Sequence, residues 1–147
     1  RIPFMLRWPA KVKPQVSDVF VCQMDLLASF ASLLGQTYPD KVDSENTLDA
    51  FLGKSKKEVV QPYYYVQFDN HATGYRGLRT STHTFAVHAT NGKIDETVLY
   101  DRTKDPYQMD NIAGQSPRLV RQFNKQLKAW LLHTNDSFAH YLETVTK

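Results

Sequence analysis

Pro62-Tyr-Tyr-Tyr-Val-Gln-Phe68, Tyr75-Arg-Gly-Leu-Arg-Thr80, Thr84-Phe-Ala-Val-His-Ala89 and Thr97-Val-Leu-Tyr100 follow one another with short polar stretches between them. Aromatic and β-branched residues dominate these segments, as strands prefer. Asp69-Asn-His-Ala-Thr-Gly74 is a turn-rich connection, Ser81–His83 closes a hairpin, and Thr90–Asp95 contains the turn pair Asn91-Gly92. Connections this short join antiparallel neighbours. Asp105-Pro106 then breaks the chain, and Ser116-Pro117 opens a helix with proline in its first turn. Leu119, Val120, Phe123, Leu127, Trp130 and Leu131 recur with the helical period. A last helix is predicted from about Asp136 to Val145, with Phe138, Tyr141, Leu142 and Val145 on one side. The order gives an α+β fold: about four antiparallel strands packed against a long C-terminal helix.

Upstream of this block the signals change. Arg1-Ile-Pro-Phe-Met-Leu-Arg-Trp-Pro9 opens the chain in an apolar run, and Pro9 and Pro14 confine the expected strand to Pro3–Trp8. Natural N-termini are usually polar and mobile, so this opening gives the expectation of a chain cut from something longer. Val16–Cys22 is a second apolar stretch. Asp25 is placed to cap a helix whose apolar face is Leu26, Leu27, Phe30, Leu33 and Leu34, with Gly35 just past its end. Tyr38–Ser44 reads as loop, Thr47–Leu52 as a short helical turn and Gly53–Glu58 as a basic surface loop.

The 147 residues suit one domain with a sizeable core. Apolar residues make 41% and charged residues 22%, which places the chain among globular proteins and away from disordered or collagen-like ones. No apolar run is long enough for a membrane-spanning helix. No charged segment followed by an apolar one opens the chain, so no signal peptide is expected. A formal charge of +3 is a weak argument for any polyanionic partner. The single cysteine, Cys22, excludes an internal disulfide framework.

Chemistry-bearing patterns are sparse. His71, His83, His88, His133 and His140 form no metal-binding pair at helical spacing. No nucleotide-binding glycine pattern and no G-x-S-x-G elbow occurs. Cys22 reads as a structural thiol rather than a nucleophile. Arg118, Arg121, Lys125 and Lys128 share one face of the long helix, either a phosphate-binding stripe or simply the solvated side. The richest polar cluster is the Asp69–Tyr75 connection, which leads into Arg76. Loops at sheet ends often carry function, and an ordinary turn with Gly74 at positive φ is the plainer reading.

Several motifs in one order carry a resemblance. They begin with Arg1–Pro9, then Val16-Ser-Asp, and Gln23-Met-Asp-Leu-Leu27 running into a helix that ends at Leu34-Gly35. Arg76-Gly-Leu-Arg-Thr80 with Thr84-Phe85 follows, and then Leu99-Tyr-Asp101. The series closes with Asp105-Pro-Tyr-Gln108 and Asn111-Ile-Ala113. Together they resemble the C-terminal portion of the sulfatases, members of the alkaline-phosphatase-like superfamily. The resemblance implies two regions. Residues 1–58 are the end of the large α/β domain, a remnant strand and helix. Residues 59–147 are the C-terminal sheet and helix subdomain.

Sulfatases hydrolyse sulfate esters with a formylglycine, made from Cys or Ser in a C/S-x-P-x-R motif, beside a Ca²⁺ ion. Cys22 is followed by Met24 and Leu26 where Pro and Arg are needed, and Ser116-Pro117-Arg118 has the wrong spacing. No catalytic residue and no metal ligand is therefore expected in this chain. The longer parent would use Ca²⁺ and formylglycine, act on a sulfated carbohydrate, and be periplasmic, secreted or lysosomal. The resemblance makes His71, Tyr75 and Arg76 the candidate substrate contacts. Arg76 and Arg79 have a second reading, as bonds to the Asp101–Asp105 turn. The Pro3–Trp8 strand, without its sheet, is expected to promote self-association. Two alternatives stand beside this reading. One is a phosphodiesterase or phosphoethanolamine transferase of the same superfamily. The other is a free-standing, non-catalytic binding module.

Overall fold

β1 (Gln61–Asn70), β2 (Thr73–Arg79), β3 (His83–Thr90) and β4 (Lys93–Asp101) form one antiparallel sheet in the order β1-β2-β3-β4. The computed structural model describes residues 4–17, 19, 21–37, 46–54, 61–70 and 72–146. The chain divides into two compact units, Arg1–Val59 and Val60–Lys147.

In the second unit every strand is longer than its apolar run, because the turns are tighter than composition implies. Asn70 pairs with Thr73, so only two residues separate β1 from β2. Most of the expected Asp69–Gly74 loop is strand. Thr90 pairs with Lys93 across Asn91 (φ 50°) and Gly92 (φ 76°). Two positive φ values in succession make the mirror-image hairpin turn whose twist matches the strands. Lys93–Glu96 therefore belong to an edge strand, where charge blocks further pairing.

The core lies on one face of this sheet. Leu78, Phe85, Val87, Ala89 and Leu99 meet Val120, Phe123, Leu127 and Leu131, together with Phe138, Ala139 and Leu142. Val120, Phe123, Leu127 and Leu131 come from α3 (Pro117–His133), which follows α1 (Leu26–Leu33) and α2 (Leu48–Phe51) in chain order. Proline sits in the first turn of α3, as expected. The buried stripe also holds Asn124, whose Nδ2 donates to the Leu142 carbonyl at 3.2 Å and so fastens the C-terminal segment to α3.

α3 ends in a left-handed residue, Asn135 (φ 56°). The Asp136 N–H bonds the Leu131 carbonyl at 2.8 Å, and the Asn135 N–H bonds that of Leu132 at 3.3 Å, two bonds that reverse the chain direction. The segment that follows, Ser137–Thr146, is the last helix expected over nearly the same residues, and it is wound as a 3₁₀ helix. Its three-residue turn brings Phe138 and Tyr141 edge to face, with ring centroids 5.6 Å apart.

In the first unit a 3₁₀ turn, Gln23–Asp25, leads into α1. Gly35 (φ 65°) ends that helix as the sequence implies, with the Gln36 N–H on the Ala31 carbonyl at 2.8 Å. Asp25 stands at the cap position but makes no side-chain cap bond. The buried side of α1 is Asp25, Ala28 and Ser29, not the apolar face read from spacing. Ser29 Oγ accepts the Thr47 N–H at 3.0 Å ahead of α2. Leu27, Phe30 and Leu34 are 54%, 41% and 71% exposed. Small side chains let α1 approach its neighbour closely, and the larger apolar face is turned away.

The expected strand over Pro3–Trp8 is corrected for residues 4–8, which have no regular structure. A strand is defined by its partner, and none pairs with this segment among the described residues. The chain turns instead at Trp8, whose carbonyl accepts the N–H groups of Lys11 and Val12 at 2.9 and 2.8 Å. The expected loops at 38–44 and 55–58 lie outside the described residues.

Candidate functional site

Tyr75 and Arg76 are consecutive in β2, so their side chains leave the sheet on opposite faces. Arg76 lies on the core side and is 2% exposed. Its Nε donates to Asp136 Oδ2 at 2.7 Å, one of its terminal nitrogens donates to the Tyr75 carbonyl at 3.1 Å, and its guanidinium carbon sits 4.9 Å from the centre of the Phe138 ring. The other oxygen of Asp136 accepts the Phe138 N–H at 2.9 Å. One carboxylate thus starts the C-terminal 3₁₀ helix and neutralises the buried cation beneath the sheet. Asp136, and not the Asp101–Asp105 turn, is the carboxylate found paired with Arg76 among the described residues. Arg102 is the residue that ties that region to the β2–β3 connection, donating to the carbonyls of Thr80 at 2.6 Å and Ser81 at 3.1 Å.

Tyr75 lies on the other face, in a cross-strand row with His88 and Glu96. Its hydroxyl donates to Glu96 Oε2, and its ring leans on the His88 ring at a centroid distance of 4.5 Å. A bulge in β4 places Asp95 beside this row. Asp95 Oδ1 is 2.5 Å from His88 Nδ1, and Oδ2 accepts the Thr90 hydroxyl at 2.6 Å.

The electrostatics follow from these bonds. The hydrogen bond to Glu96 raises the Tyr75 hydroxyl to about 12, with desolvation and the nearby carboxylates adding to it. The Thr90 hydroxyl, and then His88, hold Asp95 below the usual carboxylate range. A phenol held this firmly is a poor base or nucleophile. The cluster presents a ring and polar edges on this face of the sheet.

His71 lies outside the described residues. Ala72 and Thr73, which follow it in the sequence, both bond the Asn91-Gly92 turn. The Gly92 N–H bonds the Ala72 carbonyl at 2.8 Å, and the Asn91 N–H bonds the Thr73 hydroxyl at 3.1 Å. The β1–β2 and β3–β4 turns therefore stand side by side at one end of the sheet. Tyr75 belongs to that end and Arg76 to the interior beneath it. Sequence reasoning missed His88, Asp95 and Glu96. Period-two register across a hairpin hinged on Asn91-Gly92 was the available signal.

The Asp105–Ala113 motif is a clasp. Asn111 Oδ1 accepts the N–H groups of Leu99 and Ala113 at 2.9 and 3.1 Å, while its Nδ2 donates to the Thr97 carbonyl at 3.1 Å. Asp105 Oδ2 accepts the Asp110 N–H at 2.9 Å. The side chain of Asn111 satisfies the open edge of β4 where a fifth strand would otherwise pair. Asp101 is likewise held below the usual carboxylate range, first by the Thr103 hydroxyl.

Residues 1–136 match the family described as N-sulphoglucosamine sulphohydrolase, C-terminal. The chain belongs to this family. The chain is 33% identical to an N-acetylgalactosamine-6-O-sulfatase of Bacteroides thetaiotaomicron over 137 residues. That match takes in 88% of this chain and 27% of the relative. It is 26% identical to an endo-4-O-sulfatase of the same organism, over 92% of this chain and 30% of that one. A solved candidate sulfatase of Bacteroides fragilis is 49% identical, with a TM-score of 0.85, over 92% of this chain and 30% of its own. The chain therefore spans less than a third of the length of these relatives.

The groups that the resemblance attaches to the parent find no matching donor set among the described residues. Among the described residues no three His, Cys, Asp or Glu side chains are grouped to hold a metal ion. Cys22, a half-buried free thiol, is followed by Gln23-Met24-Asp25-Leu26.

Proposed function

We propose that this chain is the C-terminal portion of a carbohydrate sulfatase, and that the turn end of its sheet forms part of the rim that receives the sugar. Identity of 33% with an N-acetylgalactosamine-6-O-sulfatase over nearly the whole chain is the observation that carries the reading. In this reading the nucleophile and the Ca²⁺ ligands belong to residues outside the chain, and residues 1–58 complete the large domain. The chain alone is inactive toward sulfate esters.

The work left to these residues is recognition. Tyr75 keeps its proton throughout the physiological range, so its hydroxyl remains a donor fixed on Glu96 and its ring a fixed apolar surface. His71, between Asn70 and Ala72 in the sequence, is the residue assigned to offer an imidazole to a hydroxyl or carboxylate of the sugar. Arg76 acts from below. Its ion pair with Asp136 fixes β2 against the 3₁₀ helix and so sets the height of Tyr75.

The test is made in the longer reading frame that contains this chain. A C/S-x-P-x-R motif upstream, with turnover of an aryl sulfate, supports the reading. A Thr or Ser nucleophile with phosphoryl turnover replaces it with a phosphodiesterase or transferase. A start codon just before Arg1 replaces it with a free-standing module. In an active parent, His71→Ala and Tyr75→Ala are each expected to lower kcat/KM for the natural glycan by about tenfold while sparing a small aryl sulfate. Equal loss on both substrates removes these residues from the rim.

A further inference from the structure

α3 carries Arg118, Arg121, Lys125 and Lys128, and no Asp or Glu anywhere between Pro117 and His133. The first three recur at i, i+3 and i+7, so they lie along one flank over about 10 Å. All three are exposed. Among the described residues none of them is within ion-pair distance of a carboxylate.

A merely solvated helix face does not account for this pattern. Such faces usually mix charges, with acids placed four residues from bases to support the helix. Here no such pair exists. Arg118 is also in the first turn, where a cation opposes the helix dipole, and that turn contains no acidic residue to balance it. Helix stability is served by neither feature. What the arrangement does provide is an undiluted positive strip. Gln122 and Gln126, each exposed and next in sequence to a cation of the strip, add amide groups able to bond hydroxyls.

We propose that the Arg118–Arg121–Lys125 strip docks the sulfate groups of a sulfated polysaccharide. The proposal rests on the sulfated-carbohydrate reading above and extends it to a surface distinct from the Tyr75 turn end. Charge complementarity selects a polyanion. Polar glutamines between the cations, with no aromatic ring in the strip to stack on bases, select a glycan over a single-stranded nucleic acid. The strip would hold further stretches of a polymer on the protein, which raises the local concentration of sulfate esters.

The experiment uses the 147-residue chain and a sulfated glycosaminoglycan octasaccharide, titrated by calorimetry at 50 and 200 mM salt. Three cation contacts predict a slope of about −2 in log K against log salt, and so about tenfold weaker binding at the higher salt. Arg118→Gln/Arg121→Gln/Lys125→Gln keeps good helix formers and is expected to weaken binding at least tenfold, with the thermal melt unchanged. Lys11→Gln/Lys13→Gln/Lys54→Gln removes the same charge from the first unit and is expected to bind as the parent chain does. Equal loss in the two variants would show net charge alone at work and overturn the proposal. So would undiminished binding to the desulfated octasaccharide, or tighter binding to a single-stranded oligonucleotide of equal charge. A longer protein without sulfatase turnover, in which the strip still binds the sulfated octasaccharide, would remove the functional reading and leave the strip standing. Sulfatase turnover with no effect of the α3 variant on octasaccharide binding would do the reverse.

Discussion

Arg76 shows how one residue serves two elements. Its guanidinium is buried, faces Phe138, and is neutralised by a carboxylate sixty residues away in sequence. Removing one member of a buried pair strands the other, so Arg76→Ala is expected to destabilise the second unit by about 3 kcal/mol in urea melts. Asp136→Asn keeps an oxygen for the Phe138 N–H and loses only the charge, so it is expected to cost less. Equal costs would mean that the cap and not the ion pair holds the junction. Tyr75 gives a pH signature. Its hydroxyl is raised from 10.0 to about 12 in the folded chain, so the folded state holds this proton more tightly than the unfolded state does. The contribution to stability is complete below pH 10 and is lost as pH rises toward 12. Ultraviolet titration should show a late-ionising tyrosine, and Tyr75→Phe should remove both that step and its share of the alkaline fall in stability. An unchanged titration in Tyr75→Phe would contradict the assignment to Glu96. None of these partners was legible in the chain order. Alternation along β2 separates Tyr75 from Arg76, but naming Asp136 or Glu96 requires knowing which elements meet.

At the scale of elements, the clasp formed by Asn111 replaces missing strand pairing along β4. Asn111→Ala removes three hydrogen bonds from an edge that water can reach, so the expected cost is about 1–2 kcal/mol. Hydrogen exchange should localise the effect. The Leu99 amide should exchange faster, while that of Val87, on the inner strand β3, should keep its protection. Loss of protection across β3 would mean that Asn111 supports the whole sheet. The four strands and α3 were readable because period-two and period-3.6 patterns are local properties of sequence. Their boundaries were not. Lys93, Asp95 and Glu96 have the composition of a turn, and only pairing across Asn91-Gly92 makes them strand. Asn124 hid within the apolar stripe of α3 because its role depends on a carbonyl eighteen residues later.

At the scale of the whole chain, α1 turns its larger apolar side chains outward. Its buried side is small and polar, and Leu27, Phe30 and Leu34 are open to solvent, as is Met5 at 93% exposure. The relatives are more than three times as long as the stretch they share with this chain. In the proposed longer protein, its further residues are the expected cover for this face. The 147-residue chain by itself is therefore expected to self-associate in sedimentation experiments. Phe30→Lys/Leu34→Lys should shift it toward monomer, because both positions are exposed and their replacement disturbs no core. A chain that is monomeric at high concentration before substitution would show that the apolar face needs no cover.

The amino-acid sequence by itself determined the α+β class, the four strands, the long helix with proline at its start, and the sulfatase resemblance that the family match supports. These are consequences of local periodicity and of short motifs in a set order. Tertiary structure alone decided which side of α1 is buried, that residues 4–8 form no strand, and that Arg76 is an interior ion pair while Tyr75 faces a row of His88 and Glu96. The physical reason is the same in each case. Burial and pairing are properties of two surfaces, and a sequence pattern describes only one of them.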